Sequence, residues 1–103
     1  MSASPQGPYA FKVVTSSGLI TADGVGGYVK AFGLTVTTNA GEAQLRDGGS
    51  GGTVGPELKL DGATAKNSIS SGDIGPTRFT SDIYVTLDGT GAECWVIYSE
   101  DND

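Results

Sequence analysis

Carboxylates dominate the reactive side chains of this 103-residue sequence, which carries twelve Asp and Glu, one Cys and no His. A nucleophilic triad needs a base, usually His, to draw the proton from Ser, Thr or Cys, so that chemistry has no support here. Zinc centres need clustered Cys and His, which are also missing. The glycine-rich run Asp47-Gly-Gly-Ser-Gly-Gly52 lacks the lysine that ends a phosphate-binding loop. Cys94 stands between Glu93 and Trp95 and reads as a buried structural thiol. With one Cys no disulfide forms within the chain, and stability must come from packing or self-association.

Two roles remain for the acids. Paired carboxylates hydrolyse glycosides when a cleft positions the sugar between them, and a chain this short has little surface for such a cleft. Calcium takes oxygen ligands, and Asp23, Asp47, Asp61, Asp73, Asp82 and Asp88 all fall at expected turns. Their spacing is not that of an EF-hand loop, and Asp at a turn ordinarily bonds the backbone. The expectation is a protein without enzymatic activity, metal or cofactor. Aromatic stacking on sugar rings is the remaining binding chemistry, with Tyr9, Tyr28, Tyr84, Trp95 and Tyr98 as candidates.

The elements that position these residues read as strands. Seventeen glycines break the chain into short alternating runs, and no 3.6-residue apolar period persists. Tyr9 to Thr15 alternates, and Leu19 to Ala22 makes a short strand. Tyr28 to Thr38 is the longest strand signal, with Phe32, Leu34 and Val36 on one face and a bulge or bend expected at Gly33. Glu42 to Arg46 places Ala43 and Leu45 inward. Asp47–Gly52 is a hairpin tip, and Thr53 to Leu60 follows as a strand in which Pro56, unable to donate to a ladder, implies an edge position or a break. Residues 63–71 form a loop with one extended stretch.

Ser81 to Asp88 and Ala92 to Ser99 flank Gly89-Thr90, which suits a type II′ hairpin. That register pairs Val85 with Cys94 and Ile83 with Val96 on the core face. It places Tyr84 beside Trp95 on the opposite face, with Ile97 nearby, as an outer apolar patch of the kind that marks interfaces. The fold expected is all-β: a single antiparallel β-sandwich, jelly-roll-like, of seven or eight short strands without substantial helix. Residues 1–8 form a flexible N-terminal arm, 9–99 the β-sandwich domain and 100–103 an acidic tail.

The formal net charge is −6, and the six Lys and Arg are scattered singly, without the basic stripe that nucleic acid requires. No apolar run reaches membrane-spanning length and no secretory leader opens the chain, so neither nucleic acid nor membrane is an expected partner and folding is expected in a cytoplasm.

Three stretches carry a family resemblance. Leu34-Thr-Val-Thr-Thr-Asn-Ala-Gly-Glu-Ala-Gln-Leu-Arg-Asp-Gly-Gly-Ser-Gly-Gly-Thr53 reads as strand, hairpin tip and strand. Arg78-Phe-Thr-Ser-Asp-Ile-Tyr-Val-Thr-Leu-Asp-Gly89 and Val96-Ile-Tyr98 read as closing strands. The pattern resembles small all-β virion structural proteins of tailed bacteriophages. The resemblance implies a capsid cement or decoration subunit, or a tail- or fibre-associated piece, made in a bacterial cytoplasm and carried in the virion. It implies the major capsid protein or other virion proteins as partners, and neither catalytic nor sharply defined binding residues; self-association as a trimer or dimer is a separate expectation. On this reading Tyr84, Trp95 and Ile97 form the packing surface, while Pro5 and Pro8 of the arm and Asp47 and Ser50 of the glycine loop make peripheral contacts. A carbohydrate-binding receptor-recognition module is the alternative.

Overall fold

The computed structural model describes residues 9–62 and 66–101. Nine strands follow one another: β1 (Ala10–Val14), β2 (Gly18–Leu19), β3 (Gly27–Thr35), β4 (Ala40–Asp47), β5 (Thr53–Asp61), β6 (Ser68–Ser70), β7 (Thr77–Phe79), β8 (Tyr84–Asp88) and β9 (Glu93–Glu100). They form two antiparallel sheets without helix among the described residues. Sheet A runs β1-β9-β3-β6, with β7 also pairing β3, and sheet B runs β2-β8-β4-β5.

One apolar core joins the sheets. Sheet A supplies Val29, Phe32, Leu34, Cys94 and Val96; sheet B supplies Ala43, Leu45, Leu60 and Val85. Phe32 and Leu34, Ala43 and Leu45, and Cys94 and Val96 each stand two residues apart, the period that points side chains to one face of a pleated sheet, and an irregularity in β3 sets Val29 three residues before Phe32. Ile20, Val36, Phe79 and Ile83 close the core from the flanking segments. Full burial of side chains of this size contributes about 1.5–3 kcal/mol each.

The expected β8–β9 hairpin does not form. β8 pairs β2 and β4 in sheet B, whereas β9 pairs β1 and β3 in sheet A. Gly89-Thr90-Gly91 carries the chain from one sheet to the other. Gly89 (φ 124°) and Gly91 (φ 65°) hold backbone conformations that side-chain-bearing residues rarely adopt. The connection packs on the chain between β3 and β4, where the Thr37 amide and Oγ1 both donate to the Thr90 carbonyl, at 3.1 and 2.9 Å. Ile83, Val85, Cys94 and Val96 are still buried, as their apolar alternation requires. Their partners differ: Val85 lies opposite Leu45 and Gly18, and Cys94 opposite Leu34 and Val14.

The bulge in β3 falls at Lys30, between the Val29–Tyr98 and Ala31–Ile97 pairs, and not at Gly33. Gly33 serves packing instead. A Cβ there would run into the indole of Trp95, its partner across the ladder, so the missing side chain seats the ring. β5 is an edge strand as expected, and β6 is the extended stretch within residues 63–71. β7 has no counterpart in the sequence reading. The expected arm, with Pro5 and Pro8, lies outside the described residues.

Candidate interaction face

The two sheets turn different chemistry outward. On sheet B the outward residues are Glu42, Gln44 and Arg46 of β4, Val54, Glu57 and Lys59 of β5, and Tyr84, Thr86 and Asp88 of β8, with Val54 the one exposed large apolar side chain among them. They bond one another: Gln44 Nε2 donates to Glu57 Oε2 at 2.8 Å, and Arg46 Nε to Thr86 Oγ1 at 3.2 Å. This is an ordinary solvated sheet face.

Sheet A turns out an apolar lattice. Phe11, Ile97 and Ala31 stand side by side across β1, β9 and β3, and Val13, Trp95 and Gly33 form the next rung. No charge interrupts either rung. Phe11 stacks on Trp95 with ring centroids 6.3 Å apart and planes 24° from parallel. Phe11 is 65% exposed and Val13 48%, while Trp95 and Ile97 are half-buried. Offset aromatic pairs of this kind hold geometry as well as area.

Polar groups frame the lattice. At one end Glu93 pairs with Thr35, which in turn faces Ser68. At the other, Arg78 lies 4.9 Å from the Tyr28 ring centroid and makes a bidentate contact with Asp101, at 2.7 and 3.0 Å. The Asp101 hydrogen bond raises the Arg78 pKa further, against the opposing effect of burial. Lys30 Nζ reaches Asp73 Oδ2 at 3.3 Å and sits 5.7 Å from the Tyr9 ring centroid. An apolar centre within a polar rim is the anatomy of a protein interface.

Trp95 and Ile97 therefore share the expected patch, but Tyr84 does not. It lies on sheet B opposite Arg46 and Leu19, because β8 joins that sheet. The residues that take its place are Phe11 and Val13. Their signal was an apolar residue at consecutive positions of one strand, Val13 and Val14, which marks a strand clothed on both faces.

Asp47 is turned inward to the fold. Its carboxylate accepts from the amides of Thr80 (2.8 Å) and Ser81 (2.7 Å) and from Thr80 Oγ1 (3.1 Å). Partial burial pushes its pKa up, and these hydrogen bonds outweigh that and hold it below the usual carboxylate value. Ser50 is exposed at the tip of the β4–β5 hairpin, apart from the lattice strands. Asp73 Oδ1 accepts from the Gly75 amide at 2.9 Å, and that bond, followed by Lys30, lowers its pKa. Among the described residues no three of His, Cys, Asp and Glu gather as ligands for a metal ion. Three of the turn acids bond backbone: Asp47, Asp73 and Asp82, the last accepting from the amides of Gly48 and Gly49.

Glu100 ends β9 and accepts from the Ala22 amide at 2.6 Å, while the Asp101 amide donates to the Gly26 carbonyl at 2.9 Å. Both residues are thus built into the domain. Of the aromatic candidates, Tyr28 shares the outer side of sheet A with Trp95, whereas Tyr98 packs against the core. No protein-family model, curated protein or solved structure matches the chain.

Proposed function

We propose that this protein is a non-enzymatic bacteriophage virion component, a capsid cement or decoration subunit that seats the outer face of sheet A on the major capsid protein in many copies. The carrying observation is the contrast between the two faces. Sheet B is clothed for solvent, whereas sheet A leaves Phe11, Val13, Trp95 and Ile97 in contact as an uncharged, polar-rimmed surface.

The fold reading behind this is a jelly roll. Apart from β7, the strands divide into two sheets of four, and every connection between them except the β4–β5 hairpin passes from one sheet to the other. Nested crossings of this kind are the jelly-roll pattern, an architecture common to viral capsid and lectin domains. Fold alone does not carry function, so the assignment rests on the face.

Co-sedimentation tests it. Purified protein is expected to pellet saturably with tailed-phage capsids that lack their decoration subunit, and Trp95→Ala to abolish pelleting while the protein remains folded by circular dichroism. Absence of pelleting refutes the cement reading. A tail-associated or receptor-recognition role is the second reading, favoured by the Phe11–Trp95 ring pair beside Tyr28, and saturable binding on a glycan array identifies it.

A further inference from the structure

Ser99 is the polar group that the fold itself does not account for. On β9 it follows Trp95 and Ile97 in the same alternation, so its side chain shares the outer side of sheet A with theirs. It is 8% exposed, its Oγ has no hydrogen-bond partner among the described residues, and it stands opposite Tyr28 in the ladder. A desolvated, unpaired hydroxyl costs stability. One that lies on the outward side of a sheet, and not between the sheets, is placed to receive its partner from outside.

The rings beside it form a platform. The atoms that a Cβ at Gly33 would meet are Nε1, Cε2 and Cζ2 of Trp95, so the indole lies across the backbone of β3 and turns its other side out. The Phe11 ring follows at 6.3 Å, 24° from parallel, and extends the same surface over β1. From Trp95 to Ser99 along β9 is about 13 Å, longer than one sugar ring. At the Ser99 end the polar groups are fixed in place. Arg78 is held by Asp101 and by the Tyr28 ring, and Lys30 by Asp73.

We infer that this row, from Phe11 and Trp95 to Ser99 and Tyr28, is a binding platform for a neutral, β-linked polysaccharide. Outward-turned rings stack on two kinds of flat ligand, nucleobases and the C–H faces of pyranose rings. Bases come with phosphates, and a chain of net charge −6 without a basic stripe does not hold those. Anionic sugars are disfavoured in the same way, because Arg78 and Lys30 already have carboxylate partners. A neutral glycan brings C–H faces for Trp95 and Phe11 and a hydroxyl for Ser99 in one molecule. Equatorial β linkages keep successive rings in one ribbon, which lies along a flat sheet, whereas an α-linked chain coils away from it. The inference rests on the receptor-recognition reading given above and names its ligand class.

The test is isothermal titration calorimetry of the full chain with cellohexaose, chitohexaose and the α-linked maltohexaose, followed in parallel by the fluorescence of Trp95, the one tryptophan. Saturable binding of at least one β-linked hexamer is expected, with weaker binding of its disaccharide and none of maltohexaose. Ser99→Ala separates a binding role from a structural one. It is expected to raise the melting temperature and yet weaken binding about fivefold, the loss of one hydrogen bond. Phe11→Ala, at a residue 65% exposed, is expected to weaken binding about tenfold or more and to fold normally in thermal melts. Val54→Lys, on the other sheet, is expected to leave it unchanged. No binding of either β-linked hexamer overturns the inference, as does equal binding of maltohexaose or undiminished binding by Ser99→Ala. An α-linked or charged glycan captured on the array overturns this ligand class and leaves receptor recognition standing, whereas an empty array refutes receptor recognition itself. Capsid pelleting is measured without glycan, so the cement reading stands or falls separately.

Discussion

Asp47 and Asp82 exchange backbone: the Asp47 carboxylate accepts from the amides of Thr80 and Ser81, and the Asp82 carboxylate from the amides of Gly48 and Gly49. The two acids tie the β4–β5 hairpin tip to the segment that leads into β8. Arg46 reinforces the tip by donating from Nη1 to the Gly52 carbonyl at 3.2 Å.

Replacing Asp47 by Ala removes its charge-assisted hydrogen bonds to Thr80 and Ser81, both exposed, and is expected to cost about 1 kcal/mol. For a domain of this size that lowers the melting temperature by roughly 5 °C. The folded-state pKa of Asp47 lies below its ordinary value of 3.8, so its contribution is complete above that value and vanishes as pH falls through the folded pKa. Thermal melts of the parent and the variant should therefore converge in acid and separate toward neutrality.

Gly33→Ala puts a methyl group where the Trp95 indole lies. The ring must lift from the sheet, costing about 1–3 kcal/mol. A red-shifted tryptophan emission together with a lower melting temperature is the expected result; an unchanged spectrum would show that the indole does not rest on Gly33.

Ser99 is buried opposite Tyr28, and its Oγ has no hydrogen-bond partner among the described residues. Removing a desolvated, unpaired hydroxyl relieves a penalty. Ser99→Ala is expected to stabilise the protein by about 1 kcal/mol in urea denaturation.

Burial pushes the Cys94 thiol up to about 12, from an ordinary 9.0. At pH 8 a thiol reagent should leave the native protein unmodified and label it at the rate at which the core opens, rising steeply with added urea. Labelling at the rate of a free thiol in native buffer would contradict the placement of Cys94 between the sheets.

Alternation in the sequence identified faces and not partners. Ile83, Val85, Cys94 and Val96 are buried as their spacing implies, yet a two-fold period says nothing about which sheet a strand joins. Gly89-Thr90-Gly91 was compatible with a hairpin, and only the packing of Gly89 and Gly91 against Ala40 and Thr37 makes it a crossing. Tyr84 followed β8 to the other face for that reason. β7 escaped detection because Thr77–Phe79 is too short to display a period. The bulge at Lys30 left no glycine or proline to mark it. Asp47 was legible as a turn residue, but its contact with Thr80 and Ser81 spans the chain and has no local signature.

β9 fills the slot between β1 and β3, and it is the last strand in chain order. During synthesis sheet A therefore exists as two separated fragments, each with a bare edge, until Glu93–Glu100 leaves the ribosome. The β4–β5 hairpin can form early from local contacts, but β1 and β3 are joined only when β9 enters between them. A chain without Glu93–Glu100 would leave β3 bare along the side that β9 covers and offer it to chaperones and proteases, so the integrity of sheet A is tested at the arrival of this one strand.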